Sequence, residues 1–338
     1  MTAPRGGDAV ARAKRAAALG ALDAFVRPGM RLGLGSGSTA ALFIEALGGR
    51  VAAGLEVSCA ATSAASAALA ERVGVALFSL ESLAPLDLTV DGADEVDSEF
   101  RAIKGGGGCH LREKEAARCS ARVVLAVDES KLVARLGRFP LPLEVAPRDF
   151  AVTAERLRGV FDGSGFGGAA LVRRARADGS PFITDGGNFI LDAALGAVSD
   201  PAALAACLDG VDGLLAHGFF IDEADALVVG YETGEHRLLL RDRRDDGDNK
   251  GVRGNNKGVR DDGDNEGARG RQSVRNVGDN KGVGDDEGAR GRQSVRNVGD
   301  NKGVGDDEGA RGRQSVREGR GDRDNEGARV SEVAAGAN

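Results

Sequence analysis

Residues 31–39 read Arg-Leu-Gly-Leu-Gly-Ser-Gly-Ser-Thr, and this stretch decides the fold class. Arg31–Gly35 has the length and apolar content of a short buried strand. Gly33–Thr39 then brings glycines and hydroxyls together immediately before a helical pattern over Thr39–Leu47. On the N-terminal side an Ala-rich amphipathic helix runs from Lys14 to Val26 and is broken by Arg27-Pro28-Gly29. On the C-terminal side a strand is expected at Leu55–Cys59, a helix at Ser63–Val73 ending at Gly74, and strands at Val75–Ser79 and Leu86–Val90. A helix at Leu111–Ser120 and a strand at Arg122–Val127 complete the run. Helices and strands that alternate in this way imply a mostly parallel sheet with helices on both faces.

After Phe139-Pro140-Leu141-Pro142 the pattern changes to strands at Leu143–Ala146, Ala169–Arg173 and Phe189–Asp192, with helices near Val152–Val160 and Pro201–Leu208. Leu214–Ile221, Ala226–Tyr231 and His236–Leu240 read again as strands of the first sheet. The expected organisation is a Rossmann-like α/β domain from residues 1–138 and 212–241, a smaller inserted α+β domain at 139–211, and a tail at 242–338.

The tail cannot build a core. Beyond Arg241 there is no Phe, Tyr, Leu or Ile. Residues 276–296 recur unchanged as 297–317, and the second half of that unit appears once more as 266–275. Each unit offers only Val and Ala among Gly, Asp and Arg, which does not offset the entropy of ordering, so the tail is expected to be disordered. It carries 21 acidic and 20 basic residues, leaving about −6 of the net charge of −7 on the core. A mildly acidic core argues against a nucleic-acid partner. The four cysteines form no CxxC pair and no zinc-like spacing with the three histidines. No apolar run reaches membrane-spanning length. A soluble protein in a reducing, cytoplasmic setting is expected.

Three polar loops follow predicted strands: 33–39, Asp91-Gly92-Ala93-Asp94-Glu95, and Asp128-Glu129-Ser130-Lys131. In an open parallel sheet the carboxyl ends of strands line the ligand crevice, so these loops converge. The first loop suits an anion, because backbone N–H groups and a helix N-terminus close around it. It is not a dinucleotide fingerprint, since position 38 is Ser where GxGxxG needs Gly, and no GK[ST] follows. Asp91, Asp94, Glu95 and Asp97 crowd four carboxylates into seven residues without calcium-loop spacing; they suit acid–base work on hydroxyls, or are solvated turn acids. Lys104 precedes four glycines, 105–108, a costly run unless backbone must approach a ligand. Lys104 can stabilise an oxyanion. Glu113, by pattern alone, reads as an ordinary surface acid on the helix after that loop. Adjacent Cys109 and His110 read as packing residues.

The motifs GSGST at 35–39, DGADEVD at 91–97, KGGGGC at 104–109 with REK at 112–114, DESK at 128–131, FPLPLEV at 139–145 and TDGGNFILD at 184–192 together resemble the type A ribose-5-phosphate isomerase family. The resemblance spans nearly the whole core and leaves the tail without a counterpart. It implies an aldose–ketose isomerase of the pentose phosphate pathway, acting on ribose 5-phosphate and ribulose 5-phosphate through an enediolate without metal or cofactor. Glu113 would be the general base, Asp91 with Asp94 would handle ring opening and hydroxyl protons, and Lys104 with the glycine-loop amides would stabilise the enediolate. Ser36, Gly37, Ser38, Thr39 and Lys131 would hold the phosphate, with Gly92, Ala93, Gly105, Gly106 and Gly107 against the sugar. Lys14 and Arg15 fall one residue out of register with the family's first-helix lysine. The family also implies a homo-oligomer, dimer or tetramer. A sugar-phosphate sensor or a CoA transferase on a related fold is the alternative, but no helix-turn-helix precedes residue 30.

Ending the chain after Arg241 is expected to leave turnover nearly intact in a purified, folded truncation; loss of activity there would give the tail a role.

Overall fold

The computed structural model describes residues 6–241 and 275–276. The rest of the tail, including the disorder expected of it, lies outside the described residues. Helix α1 (Gly6–Phe25) leads into β1 (Arg31–Leu34), α2 (Ser38–Ala52), β2 (Ser58–Ala61), α3 (Ala64–Arg72), the short α4 (Leu80–Leu83) and β3 (Leu88–Asp91). Two-residue strands β4 (Glu95–Val96) and β5 (Ala102–Ile103) come next, followed by α5 (His110–Arg118), β6 (Val123–Asp128) and a 3-10 turn at Glu129–Lys131. Then follow β7 (Leu141–Val145), α6 (Phe150–Gly163), β8 (Ala170–Arg173), β9 (Phe189–Ala194), α7 (Pro201–Asp209), β10 (Leu214–His217), β11 (Phe219–Phe220), β12 (Ala226–Gly230) and β13 (His236–Leu240). Arg275–Asn276 forms β14, antiparallel to β13.

The large sheet has the order β14-β13-β12-β6-β3-β1-β2. Strands β2, β1, β3, β6 and β12 run parallel, and β13 is antiparallel to β12. This is the mostly parallel sheet the alternation predicts. Its central strands β3 and β6 are buried along their whole length, because helices cover both sides. One layer packs Phe43, Ile44 and Leu47 of α2 with Leu32, Leu34, Leu88 and Val90. Burying each such side chain contributes about 1.5–3 kcal/mol.

Two pairings differ from the sequence expectation. Val75–Ser79 makes only a single bridge, Cys59 to Leu77, because the chain turns at Ser79, whose side chain caps α4. Leu214–Ile221 does not join the large sheet: Phe219–Phe220 pairs antiparallel with β5, and the Leu214–His217 part edges another sheet. That part pairs antiparallel with β7, Leu214 opposite Val145 and His217 opposite Leu143, in a second sheet ordered β10-β7-β9-β8. That sheet closes over its own core of Leu143, Val145, Leu157, Phe161 and Leu208. The third sheet, β11-β5-β4, is built from pairs of residues too short to show a period; it holds the backbone that leads into Lys104.

Helix α1 lies against β12 at its closest through small residues. A Cβ on Gly230 would stand 1.9 Å from the Ala13 carbonyl oxygen and 2.8 Å from the Ala17 nitrogen. Backbone cannot yield as a side chain does, so Gly230→Ala is expected to lower stability by about 1–3 kcal/mol. The measurement is the urea midpoint; an unchanged midpoint would contradict this account of the α1 seat.

Candidate active site

The register sets Leu34 beside Val90 and Asp91 beside Leu125, so the carboxyl ends of β1, β3 and β6 are neighbours. Their loops meet the glycine loop after β5 in one cleft of about 120 Å³. Its walls are Lys14, residues 36–39, residues 92–94, residues 104–107, Glu113 and Lys131. The residues the family resemblance implies are therefore brought together, except that Asp91 is not a wall but lies behind Lys104; Glu95 and Asp97 of the same acidic run lie elsewhere, Glu95 accepting from Gly137 N and Phe139 N and Asp97 pairing with Arg101.

At one end the chain leaves β1 through Gly35 and Gly37. A Cβ at position 35 would meet Asp91 Oδ1 at 2.1 Å, so the absence of a side chain there makes room for the Asp91 carboxylate. Gly37 has φ +93 and caps α2, a conformation that favours glycine. The α2 N-terminus, with its unpaired N–H groups, favours an anion. Lys14 Nζ reaches across from α1 and donates to Ser38 Oγ at 2.9 Å. Of the two first-helix candidates, Lys14 and not Arg15 lines the cleft. Lys131 enters on the 3-10 turn, which Asp128 fixes by accepting from Ser130 N at 3.1 Å and from the Ser130 hydroxyl. Thr62, which sequence reasoning missed, donates to Leu34 O at 3.0 Å. Its proton is thereby spent, so the Ser36 hydroxyl is the donor in the 2.8 Å contact between them.

At the other end Lys104 Nζ lies 2.9 Å from Asp91 Oδ2 and 3.1 Å from Glu113 Oε2. All three side chains are buried, at 4, 3 and 6% exposure. The well-aligned hydrogen bond of the ammonium goes to Gly92 O at 2.6 Å, so Asp91 Oδ2 and Glu113 Oε2 face it in ion-pair contact while lacking an aligned donor. Asp91 Oδ1 is fixed by the N–H groups of Ser36 at 3.0 Å and Gly92 at 2.7 Å. Asp94 Oδ2 accepts from Gly106 N at 2.8 Å.

Burial, reinforced by the Asp91 charge and opposed by Lys104, raises the Glu113 pKa to about 8. Burial alone would weaken the Lys104 ammonium, but the Asp91 and Glu113 charges outweigh it and hold its pKa above the ordinary lysine value. The Cys109 thiol is pushed up to about 11 by burial and then by Glu113, and burial takes His110 down to about 3. A protonated thiol beside a neutral imidazole is no nucleophile–base pair, in line with the packing role read from the sequence.

Glu113 is buried on α5, which packs against β3 and β10. Its neighbour Lys114 donates to His217 O and Phe219 O, both at 2.8 Å, and the carbonyl of the intervening Gly218 accepts from Lys104 N at 2.9 Å. Lys114 thus ties the helix of Glu113 to the β10–β11 segment that also holds the Lys104 backbone, a role that nothing in the linear pattern marks. Among the described residues no group of His, Cys, Asp and Glu is placed to hold a metal ion.

Comparison with known proteins places this arrangement. A family model for Ribose 5-phosphate isomerase A (phosphoriboisomerase A) matches residues 58–234. The chain is 48% identical to ribose-5-phosphate isomerase A of Parvibaculum lavamentivorans over 221 residues, 65% of this chain and 95% of the relative. It is 47% identical to that of Bradyrhizobium diazoefficiens over 238 residues, 70% and 98% of the two chains. Among solved structures, ribose 5-phosphate isomerase A from Methanocaldococcus jannaschii superposes with a TM-score of 0.62 at 36% identity, covering 68% of this chain and 98% of that one. A D-ribose-5-phosphate isomerase in complex with phospho-erythronic acid also gives 0.62, at 35% identity over 68% and 97%. On the extent of the family match and on these identities, the chain belongs to the ribose 5-phosphate isomerase A family.

Proposed function

We propose that Glu113 is the base that moves the proton in the interconversion of ribose 5-phosphate and ribulose 5-phosphate, the reaction of this family. The observation that carries the assignment is one ammonium, Lys104, held between two buried carboxylates at 2.9 and 3.1 Å.

The phosphate sits at Ser36, Gly37, Ser38 and Thr39, between Lys14 and Lys131, where the α2 N-terminus and two ammonium groups favour an anion. The sugar then runs past Gly92, Ala93 and residues 105–107 toward Glu113. With the open-chain aldose bound, Glu113 takes the proton from C2. The C–H electron pair becomes the C1–C2 double bond and the carbonyl pair moves to O1, giving the enediolate. Lys104 and the glycine-loop amides lower the energy of that oxyanion. Asp94, in the cleft wall, passes the hydroxyl proton from O2 to O1, while Asp91 holds the Lys104 ammonium from behind, and Glu113 returns its proton to C1. No electron leaves the substrate. A relative that holds phospho-erythronic acid supports the reading, because that ligand joins a phosphate to a carboxylate across a short hydroxylated chain. We also infer a cytoplasmic homo-oligomer: Phe78, Val152, Val172 and Leu215 leave apolar surface exposed for a second copy to cover, and no described helix is long and apolar enough to cross a membrane.

In D2O the purified enzyme is expected to place deuterium on carbon while producing ribulose 5-phosphate. Glu113→Gln is expected to lose about 10²–10⁴-fold in kcat while still binding the sugar phosphate; full activity in that variant would remove Glu113 from the base role. The base must be ionised to act, and its pKa is raised. Activity should therefore climb about tenfold per pH unit on the acid side and level off near pH 8 rather than near the ordinary glutamate value. A kcat/KM profile already flat at pH 6 would contradict this.

A further inference from the structure

Arg174 follows directly on β8, in the small sheet, and is not a wall of the cleft. Its guanidinium is nevertheless engaged on every side. Nε and Nη2 donate to the two carboxylate oxygens of Asp192 on β9, at 2.9 and 2.6 Å. Nη1 donates to Gly105 O at 2.8 Å and to Gly106 O at 3.0 Å. Its flat face lies 5.7 Å from the centre of the Phe182 ring, and Phe182 fills the space beside Gly108, within 2.5 Å of where a Cβ would stand.

These contacts matter because the segment they hold is four glycines long. Such a run has more conformational freedom to lose than any other, and nothing in its own side chains fixes it. Among the described residues the only cis peptide is Ala84–Pro85, so the two planes that Arg174 grips are trans. In a trans plane C=O and N–H point in opposite directions. Drawing the carbonyls of Gly105 and Gly106 toward Arg174 therefore turns the N–H groups of Gly106 and Gly107 the other way. The first of these is seen to point at the cleft, where it meets Asp94 Oδ2 at 2.8 Å; the plane geometry turns the second to the same side.

We propose that Arg174, braced by Asp192, is a positioning residue for the isomerisation: from behind the loop it sets the Gly106 amide on Asp94 and turns the Gly107 amide toward the reacting oxygens. The inference rests on the reading that the glycine loop faces the enediolate. Lysine is no substitute, because one ammonium cannot make a two-pronged contact with Asp192 and also grip both carbonyls.

The test compares Arg174→Met, Arg174→Lys and Asp192→Asn with the full-length parent enzyme, using two inhibitors. Phospho-erythronic acid presents a carboxylate where the enediolate carries its two oxygens; inorganic phosphate probes only the phosphate end. Both arginine variants are expected to lose roughly tenfold to a hundredfold in kcat, with KM held within about twofold. The Ki of phospho-erythronic acid should rise in step with the fall in kcat/KM, while the Ki of inorganic phosphate stays at the parent value. Asp192→Asn, which keeps the arginine but loosens its brace, should shift both in the same direction by less. Folded variants with parent kcat and parent Ki values would overturn the proposal. So would activity losses that follow only the folded fraction, with both inhibitors unaffected. If phospho-erythronic acid failed to compete on the parent enzyme itself, the underlying reading of the loop amides would fall as well.

Discussion

The site depends on a cation that has too many anions. Lys104 is buried against Asp91 and Glu113, so when all three groups are ionised the cluster carries a net negative charge in a largely desolvated place. Two unit charges 4 Å apart attract by about 4 kcal/mol at an effective dielectric of 20, which corresponds to about three pKa units. Asp91 Oδ1 accepts from two backbone N–H donors. Glu113 has no such donors and must share the ammonium, so burial and the Asp91 charge raise its proton affinity. A base whose proton affinity lies near neutrality both accepts and returns a proton readily. The chemistry therefore follows from an imbalance of charge.

That imbalance is positioned by the sheet. In a parallel arrangement the carboxyl ends of β1, β3 and β6 lie side by side, and the loops that leave them have no choice but to meet. The close approach needs glycine at particular places. Gly35 makes room for the Asp91 carboxylate, and Gly105, at φ +111, turns the chain after Lys104. Of the 52 glycines, 31 lie before residue 242 and the others in the repetitive tail, so one compositional excess has two unrelated origins.

The large sheet and the polar loops were legible because both signals are local. Alternating helix and strand periods give the parallel sheet, and small polar runs at strand ends mark the cleft. Glu113 was not legible from its pattern, since an acid in Arg-Glu-Lys on a helix looks the same whether solvent or the Lys104 ammonium lies beside it; only the family resemblance brought it forward. Lys14 fell outside the expected register, yet the seat of α1 on β12 carries its ammonium to Ser38. Strands β4, β5 and β11 have too few residues for a period to exist. Leu214–His217 had the composition of a strand for either sheet, and its partner was decided by β7, about seventy residues earlier in sequence. Each of these depends on a long-range contact, which a linear pattern does not encode.

The two ends of the cleft also differ in charge, and in the proposed mechanism that difference orients the substrate. Lys14, Lys131 and the α2 N-terminus make one end positive, while Asp91, Asp94 and Glu113 outnumber Lys104 at the other. A sugar phosphate that entered backward would bring its phosphate against the carboxylates, an arrangement penalised by like-charge repulsion in a partly desolvated space. The carbonyl end, which is neutral in the ground state, meets no such penalty. It becomes negative only as the proton leaves C2, and by then the Lys104 ammonium is already in place. The preorganisation is thus directed at a charge that exists only along the reaction path. The same carboxylates that exclude the phosphate make the base strong enough to begin that path.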